Sequence, residues 1–489
     1  MFKRMPIGFW SVAVAIFFPQ FVLSQRQFDT SRIPSTEVTF SSVVGSGARA
    51  FGMGGAFMAT ADDATAASWN PAGLAQLEKP ELSLVISANG FDRNLPPRSA
   101  IVINEDGDNI SFEEELFSRS GKNLDFLSFT FPWRTGKTKL VPQISFQRVI
   151  NFALNDEFAA PLKSRAEVFY PDLNQPLPDV FNITQLREGE FSGGYDVISA
   201  SLGVRLSSAV SLGAAFNYWF NGTKGTVTND YAFQAAIYQD MDGDSVYDDL
   251  TIESATTIEK DEIEIDVSGL NVNFGALIKP HPKINLGFVF RTPFTLDFEE
   301  TRQRFSDGEL DPAESFTQSA KIKYPYSVGL GVAIRPADQL TLSTDFTLAN
   351  WSEARRTDGV VTFLEDAAPQ TIAEEPFPGN GTDDDSNPRK QNDTKQLRIG
   401  AEYVFLKDKW LLPVRAGFFR NTQFITDGND DSITYTGLTA GIGIGIKDFL
   451  FDVAFVRQSG DTVVRNSTGG DLQFSSNQFY FSAIYRLPW

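Results

Sequence analysis

Cysteine is absent from the sequence, and histidine occurs once among its 489 residues, as His281. Without cysteine the chain has no disulfide bond and no thiolate metal site. With one histidine it has no multi-histidine metal site, and a nucleophile–histidine pair is not expected around a histidine that lies in a turn. His281 also stands between two prolines, where a turn is expected. These absences predict that the protein is not an enzyme.

Long hydrophobic runs and an excess of basic charge are missing as well. After residue 24 no window offers the ~20 consecutive apolar residues that a membrane-spanning helix requires. The formal net charge is -20, which disfavours nucleic acid as a partner. If the protein is integral to a membrane, it has to cross that membrane with β-strands.

The first 24 residues have the layout of a signal peptide. Lys3 and Arg4 precede an apolar run over residues 7–23, and Ser24 before Gln25 offers a small residue at the cleavage position. An uncleaved membrane anchor is the alternative, because the apolar run is long for a signal peptide. We predict a signal peptide over residues 1–24 and hence an exported protein.

Alternation of apolar and polar residues, the period of a half-buried β-strand, dominates the rest of the chain. It marks fourteen segments, at residues 81–91, 125–133, 139–152, 194–206, 209–222, 261–279, 283–298, 317–335, 339–351, 395–407, 411–423, 432–447, 449–457 and 473–489. The connections between them alternate between short turns, such as Lys447-Asp448, and long segments, such as 223–260. Short turns on one side and long loops on the other are typical of outer-membrane barrels.

This rhythm predicts an all-β fold, a transmembrane antiparallel β-barrel of 14 strands over residues 81–489. We expect it to cross the bacterial outer membrane many times, with both termini on the short-turn, periplasmic side. A soluble β-sandwich would show the same alternation within its strands. It would not show the strict alternation of long and short connections.

The two faces of the predicted strands differ in character. Apolar or aromatic residues occupy every second position of the last strand, and the chain ends on one of them: Phe479, Phe481, Ala483, Tyr485, Leu487 and Trp489. This ending resembles the assembly signal of outer-membrane barrels, so we expect the barrel-assembly machinery as a partner during insertion. Glycine recurs on the opposite face of other strands and leaves room inside: Gly203, Gly213, Gly287, Gly329, Gly331, Gly400 and Gly417.

Residues 25–80, between the signal peptide and the first strand, are not strand-like. Within them, residues 45–74 are rich in Gly and Ala, a composition that allows tight packing in a confined lumen. A short helix is expected over residues 59–69, and the residue before Pro71 should end it. A phosphate-binding loop is disfavoured because the Lys-Ser/Thr of a P-loop is missing. A flexible linker would not carry so many large apolar residues.

Acidic residues concentrate in the predicted external loops, where they are usually solvated surface. One run alternates carboxylates around a turn-forming glycine, an arrangement that suits a hard cation such as calcium: Asp240, Asp242, Asp244 and Asp248. Ser245 stands where an EF-hand loop would need glycine. Calcium binding and a plain acidic loop therefore both remain open, and no other cofactor is expected.

Residues 45–74 resemble the amino-terminal hatch of the FadL/TodX family of outer-membrane transporters for long-chain fatty acids and other hydrophobic compounds. The matching stretches are Gly52-Met53-Gly54-Gly55-Ala56, Ala61-Asp62-Asp63-Ala64-Thr65 and Asn70-Pro71-Ala72-Gly73. Phe290-Arg291-Thr292-Pro293 resembles a strand-end sequence of the same family, and 14 strands is the family's barrel size.

The resemblance implies a plugged barrel that passively takes up a hydrophobic ligand, rearranges its hatch and releases the ligand sideways through the wall. Gating would then belong to the hatch residues Gly52, Gly54, Gly55, Asp62, Asp63, Asn70, Pro71 and Ala72. The other partners would be outer-membrane lipid and lipopolysaccharide. Relatives of this barrel also act as carriers or anchors in a bacterial protein-secretion system, and this is the alternative function.

A fatty carboxylate would need a cation in the lumen. Strand parity places three arginines on the inner face: Arg291, Arg398 and Arg415. Lys321 and Lys323 share one face of another strand. The competing interpretation is an interior salt-bridge network with Glu402 or Asp452 as partners.

Two strands should depart from regular pairing. Arg148 falls on the lipid-facing parity of the third strand, so a register break is expected near residues 147–149. In the family this strand carries a kink, but the segment here has no glycine. In the sixth strand the apolar residues change from odd to even positions, and this predicts a bulge near Ser268-Gly269.

Overall fold

The computed structural model describes residues 45–94, 99–102, 109–111, 116–135, 138–151, 154–170, 175–239, 249–365, 368–372, 375–376, 392–407, 410–426, 432–462 and 472–488. From residue 81 onward these form a closed antiparallel β-barrel of 14 strands. The predicted fold class and strand number are therefore confirmed.

Several barrel strands consist of two consecutive segments. The strands are β1 (Glu81–Asn94), β2 (Leu116–Thr130 and Trp133–Thr135), β3 (Thr138–Asn151 and Leu154–Tyr170), β4 (Gln175–Arg205), β5 (Val210–Phe220 and Gly222–Gln239), β6 (Asp249–His281), β7 (Ile284–Arg291 and Phe294–Ser306), β8 (Glu309–Tyr324 and Ser327–Ala337), β9 (Leu340–Ala349 and Arg355–Phe363), β10 (Thr394–Lys407), β11 (Trp410–Thr426), β12 (Ser432–Ile446), β13 (Phe449–Thr462) and β14 (Leu472–Arg486). Short additional strands are Ser99–Val102, Asn109–Ser111, Gln370–Ile372 and Glu375–Pro376.

Each barrel strand pairs with the next, and the last strand closes the ring onto the first. β14 and β1 are in register from Glu81 opposite Arg486 to Asn94 opposite Gln473. Closure satisfies the backbone groups that an open sheet edge would leave unpaired, which is a requirement for any sheet placed in hydrocarbon.

The strands reach further on the long-loop side than the sequence predicts. β4 begins at Gln175 rather than near residue 194, and β6 begins at Asp249 rather than near residue 261. These extensions carry polar residues such as Glu188, Glu190 and Glu259 within the ladder. Backbone pairing continues there without one continuous apolar face, so the period-2 signal disappears although the strand does not.

Apolar side chains cover the outside of the barrel, as the alternation predicts. Phe216 is 51% exposed, Ile144 is 60% exposed and Phe481 is 42% exposed. In β7 the outward positions Leu286 and Phe288 alternate with the buried Asn285 and Gly287. No helix in the described ranges is long and apolar enough to cross a membrane.

The two expected register breaks have different outcomes. The register between β3 and β4 shifts between Arg148 and Ile150, which confirms the break predicted in the third strand. The bulge predicted near Ser268-Gly269 is wrong, because β5 and β6 keep one register from Asp266 opposite Gly222 to Gly269 opposite Trp219.

Odd positions of β6 face inward from Asp261 to Leu277. In the half of β6 nearer the short turns, lipid covers the outer face, and the apolar residues Leu270 and Phe274 are exposed there at even positions. In the upper half the apolar side chains instead belong to an interior core that includes Val267. The apolar residues thus lie on whichever face of β6 meets lipid or the interior core, and the backbone itself continues without a bulge.

Residues 45–76, hereafter the plug segment, lie inside the barrel. They contain α1 (Ala48–Gly52), α2 (Ala66–Trp69) and a 3-10 helix (Pro71–Gln76). The helix predicted over residues 59–69 ends where expected but is much shorter. Asp63 is the reason, because its carboxylate accepts hydrogen bonds from the Thr65 amide (2.9 Å) and hydroxyl (2.6 Å), and this holds the preceding residues in turns.

Candidate functional site: a plugged lumen with an arginine-lined cavity

The plug segment fits the wall because the facing wall residues have no side chain. A Cβ atom on Gly213 would lie 2.3 Å from the Pro71 carbonyl carbon, and one on Gly417 would lie 2.2 Å from the Gly54 nitrogen. Eight inward glycines contact the plug segment in this way: Gly203, Gly213, Gly275, Gly287, Gly331, Gly400, Gly417 and Gly441. Backbone packs on backbone around the ring, which explains the glycine pattern of the inner face.

Polar wall residues also hold the backbone of the plug segment. One carboxylate oxygen of Asp345 accepts hydrogen bonds from the amides of Phe57 (2.7 Å) and Met58 (2.8 Å). The Thr439 hydroxyl accepts from the Gly54 amide (2.9 Å) and donates to the Gly52 carbonyl (3.0 Å). These contacts satisfy backbone groups that the short helices leave unpaired.

The glycines of the predicted hatch allow its sharp turn. Gly54 and Gly55 have φ angles of 65° and 75°, in the left-handed region that suits glycine. A Cβ atom on Gly52 would lie 3.1 Å from the Cα of Gly441, so this turn packs closely against β12.

Asn70 holds the tip of the plug segment against the wall. Its side-chain amide donates to the carbonyls of Met58 (2.9 Å) and Ala276 (3.1 Å), and its oxygen accepts from the Ala72 amide (3.1 Å). Pro71 follows as the first residue of the 3-10 helix, where its fixed φ is suitable. Asn70, Pro71 and Ala72 thus form one compact unit facing β5 and β6.

A buried ion network joins the plug segment to the other side of the barrel. Arg49 binds Glu402 through two hydrogen bonds of 3.0 and 2.9 Å and also pairs with Asp62 and Asp63. Arg415 continues the network, at 2.7 Å from Glu402 and 2.6 Å from Asp452. The interior salt-bridge interpretation therefore describes Arg415 correctly.

The chain leaves the lumen beside a second charged cluster. The Glu78 carboxylate lies 2.8 Å from Lys139, 2.5 Å from Arg134 and 3.2 Å from Arg205. Partial desolvation raises the pKa of Glu78, but hydrogen bonds from Lys139 and Arg134 outweigh it and hold the pKa at about 2. The exit of the plug segment is thereby tied to β2, β3 and β4.

On the long-loop side of the plug segment the lumen contains a cavity of about 90 Å³. Ala67 and Ser68 of the plug segment are among the residues that line it. The lining includes one charged residue, Arg291, and no carboxylate. In the part of the chain that the structure describes, no acidic side chain forms an ion pair with Arg291, so its charge is available to a ligand.

The other basic candidates are placed differently. Arg398 donates to Gln396 (2.7 Å), lies over the Trp69 ring and is close enough to Arg291 for electrostatic repulsion. Lys321 and Lys323 do share one face of β8, but both are exposed on the outside of the barrel. They are not luminal cations, because the buried Ile322 and Tyr324 take the inward positions.

An aromatic wall bounds the cavity, and we did not foresee it from the sequence. Trp219 and Phe294 stack with their ring centroids 5.2 Å apart, and Phe294 and Tyr324 stack at 4.9 Å. Trp351 packs edge-on against Tyr324 at 5.5 Å. The sequence does carry a signal for this wall, because aromatic residues occupy inward-facing positions of adjoining strands. An aromatic girdle that faces lipid would need only outward-facing positions.

Amide side chains form the polar part of the lining. The Asn271 oxygen accepts from the Trp219 indole (2.8 Å) and the Asn217 amide (3.2 Å), and the Asn271 amide donates to Asn273 (3.0 Å). Asn273 lies directly opposite Arg291 in the β6–β7 ladder. An amide donor and a guanidinium therefore enter the cavity from neighbouring strands.

The calcium prediction concerns residues that the structure does not describe, since Asp240, Asp242, Asp244 and Asp248 lie in the range 240–248. Within the described ranges, no group of three or more His, Cys, Asp or Glu side chains is placed to hold a metal ion. Calcium binding by this loop stays a prediction.

Solved structures of transport proteins resemble this barrel. A Pseudomonas aeruginosa FadL homologue is 15% identical with a TM-score of 0.51, and the match covers 91% of this chain and 99% of that one. The toluene transporter TbuX of Ralstonia pickettii is 15% identical (TM-score 0.49, 91% and 100% covered). The toluene transporter TodX of Pseudomonas putida is 13% identical (TM-score 0.47, 91% and 98% covered).

Sequence comparison gives the family directly. No curated protein sequence matches the chain. The sequence profile of the outer membrane protein transport protein family (OMPP1/FadL/TodX) matches residues 189–482, which is more than half of the 489 residues. Members of this family are transport channels for hydrophobic compounds and not enzymes, in agreement with the residue types that are missing. The chain belongs to the OMPP1/FadL/TodX family of outer-membrane transport proteins.

Proposed function

We propose that this protein takes up long-chain fatty acids, or other apolar molecules with an anionic head group, by passive transport across the outer membrane. The observation that carries the proposal is Arg291, which lines the luminal cavity without a carboxylate partner among the described residues. In a chain of net charge -20, a cavity with one cation and no acid is suited to an anion.

Apolar contacts would supply most of the binding free energy. An acyl chain gains ~0.8 kcal/mol for each CH₂ group that leaves water. The aromatic wall next to Arg291 offers such contacts, whereas an open aqueous pore would offer none. The ligand's head would lie at Arg291 and Asn273, and its apolar part along Trp219, Phe294 and Tyr324.

The plug segment would act as the gate. It lies beside the cavity, and its contacts with the wall are close packing, hydrogen bonds and ion pairs, which can be exchanged without breaking a strand ladder. Asp62, Asp63 and the unit from Asn70 to Ala72 are the residues whose rearrangement would open a path. We propose release sideways into the membrane beside the register break between Arg148 and Ile150 of β3, where Gln147 and Val149 line the cavity.

The same features suggest how the barrel is oriented in the outer membrane and which partners it meets there. The termini would face the periplasm, because the short turns and the Glu78 cluster lie on one side of the barrel. Lipopolysaccharide would surround the outer half of the wall. The barrel-assembly machinery would insert the chain by its aromatic last strand, in which Phe479 and Phe481 face outward.

Native mass spectrometry with lipid extraction, combined with oleate titration, tests the proposal. We expect a bound amphiphile in the wild type and a roughly 10- to 100-fold loss of oleate affinity in Arg291→Met, the size of a lost hydrogen bond to a charged group. Arg291→Lys should retain part of the affinity. The control is Arg457→Met, which removes an exposed arginine of β13 and should change nothing.

Neutral oleyl alcohol separates head-group recognition from a general loss of fit. It should bind the wild type and Arg291→Met with equal affinity. An equal loss of both ligands in Arg291→Met would contradict the assignment of Arg291. An empty barrel that purifies with a stoichiometric protein partner would favour the secretion-anchor function instead.

A further inference from the structure

Toward the long loops, the outer face of the barrel strands changes from apolar to polar residues, and this change marks where the wall leaves the hydrocarbon. On β10 the exposed Leu397 lies two positions below the exposed Lys395. On β11 the exposed Phe418 lies two positions below the exposed Arg420. The first polar side chain above the lipid-facing surface is therefore a cation on both strands.

The same position carries a cation on two further strands of this side of the barrel. We call these four exposed residues the basic arc: Lys323 of β8, Lys395 of β10, Arg420 of β11 and Arg457 of β13. Other exposed lysines of the outer face have carboxylate partners, since Lys224 pairs with Glu264 and Lys321 pairs with Asp358. Among the residues whose structure is described, no carboxylate forms an ion pair with a member of the basic arc.

Two members of the basic arc are close enough to hold one anion. Arg420 lies opposite Leu397, which is two residues from Lys395, and the Thr422 hydroxyl is hydrogen-bonded to the Lys395 backbone. Lys395 and Arg420 are thus diagonal neighbours, which places them about 7–8 Å apart and within reach of long side chains. Like charges at this distance repel each other, and an anion between them removes the repulsion.

An apolar side chain between the two arginines offers a contact for an acyl chain. Leu438 of β12 is 68% exposed, the largest fraction among the large apolar side chains of the described ranges. It lies opposite Arg457 in one ladder and opposite Phe418, two residues from Arg420, in the other. One amphiphile can therefore contact Leu438 with a chain and both arginines with anionic groups.

The positive charge is local to this side of the barrel. On the outer face of β6 and β7, Asp266 lies directly opposite Glu299, and Asp297 is exposed beside them. The formal net charge of the chain is -20, so carboxylates are plentiful, yet the basic arc has none as a described partner. Cations at the level of the head groups attract anionic lipids.

We propose that the basic arc binds the phosphate groups of lipopolysaccharide, whose acyl chains lie along the apolar wall below. This glycolipid suits the site because it carries phosphates at both ends of one compact head, and the basic arc presents cations on neighbouring strands. Arginine and lysine are the usual phosphate-binding side chains. The inference rests on the proposed orientation of the barrel, with its long loops outward, and it is independent of fatty-acid transport.

Native mass spectrometry of the full chain with added lipid tests the site. The probes are bisphosphorylated lipid A, the same lipid without phosphates, and phosphatidylglycerol. A variant with all four cations of the basic arc replaced by glutamine should lose roughly 100- to 1,000-fold in lipid A affinity, because each cation contributes about 5-fold. The matched control is Lys224→Gln with Lys321→Gln, two exposed lysines that have carboxylate partners, and it should bind lipid A like the wild type.

The other probes decide what the basic arc recognises. Removal of the phosphates should weaken binding to the wild type and leave binding to the arc variant unchanged. Equal lipid A affinity of wild type and arc variant would overturn the proposal. Equal affinity of the wild type for lipid A and phosphatidylglycerol would overturn lipopolysaccharide as the occupant. Oleate affinity should be the same in all these variants, so a wild type that binds lipid A but not oleate contradicts only the proposed function.

A spin label tests the location of the lipid. Because the sequence has no cysteine, Leu438→Cys gives a single labelling position between Arg420 and Arg457, and Leu270→Cys gives an exposed control position on β6. In liposomes, added lipid A should slow the nitroxide at position 438 and not at position 270. The slowing should disappear when Arg420→Gln and Arg457→Gln are added. Equal slowing at both positions would show unspecific lipid contact and overturn the proposal.

Discussion

Gly213 of β5 and Pro71 of the plug segment are in backbone contact, and a Cβ atom on Gly213 would lie 2.3 Å from the Pro71 carbonyl carbon. Neither group can rotate out of the way, as the end of a flexible side chain could. Any side chain at position 213 therefore has to displace either the wall or the tip of the plug segment.

We expect Gly213→Ala to loosen the plug. Overpacking of this kind costs about 1–3 kcal/mol, and the strain falls on the weaker partner, which is the short plug segment rather than the strand ladder. The expected result is an increased conductance in planar bilayers and a higher sensitivity of cells to bulky antibiotics. Gly90→Ala is the control, because a Cβ atom there meets only the Asn477 carbonyl oxygen at 3.8 Å. Equal conductance in the two variants would argue against a plug held by this contact.

Arg49 should be the main electrostatic anchor of the plug segment. Arg49→Met leaves the buried Glu402 and Asp63 without this cation, and removal of one partner from a buried pair typically costs about 3–5 kcal/mol. Hydrogen–deuterium exchange of residues 45–69 should accelerate accordingly while exchange of the barrel strands stays slow. The exposed Lys79–Asp448 pair gives a contrast, because Lys79→Met should change exchange by less than about 1 kcal/mol.

The Glu78 cluster predicts a pH dependence at the exit of the plug segment. Its folded-state pKa of about 2 lies below the ordinary value of 4.5, so the carboxylate stabilises the folded state fully above pH 4.5. That contribution is lost as the pH falls from 4.5 to about 2. Because Glu78 is 51% exposed, we expect less than about 1 kcal/mol.

Hydrogen–deuterium exchange of residues 71–80 at several pH values between 3 and 7 measures this contribution. Exchange corrected for its intrinsic pH dependence should increase toward pH 3 in the wild type. Glu78→Gln should already exchange faster at pH 7 and show a flat profile. A wild-type profile as flat as that of the variant would show that the cluster does not stabilise the exit.

Tryptophan fluorescence should report occupancy of the luminal cavity. Trp219 and Trp351 line it, whereas Trp410 is exposed on the outside of β11. Saturating oleate should change the emission of the wild type because water and polar contacts near the two indoles are replaced by an acyl chain. The change should disappear in a Trp219→Phe, Trp351→Phe double variant and persist in Trp410→Phe. Loss of the signal in Trp410→Phe would place the ligand outside the lumen.

The strands in the short-turn half of the barrel could be predicted closely from the sequence, because contact with lipid requires a regular alternation of apolar and polar residues. Where hydrocarbon covers the outer face, every second residue is apolar, so β1 and β14 begin near the predicted positions. Above the membrane both faces contact water or other strands. The pattern is lost there, and the sequence therefore underestimated β4 and β6.

The candidate site was less accessible to sequence analysis. Parity placed Arg291, Arg398 and Arg415 on the inner face, but partners decide which charge is available, and partners come from strands distant in sequence. Glu402 and Asp452 neutralise Arg415, whereas Arg291 has no such neighbour in the described ranges. For Lys321 and Lys323 the sequence predicted a shared face without saying which, and the structure places that face on the outside of β8.

The contacts of the plug segment also have a mechanical consequence. Its Asn70 side chain is bonded to the wall at Ala276 of β6, whereas Arg49 is bonded to Glu402 of β10. A tube that is tied across its bore at two separated points resists flattening, because a change of its cross-section has to stretch or break a tie. The plug segment thus acts as a cross-brace of the ring as well as an obstruction of its bore.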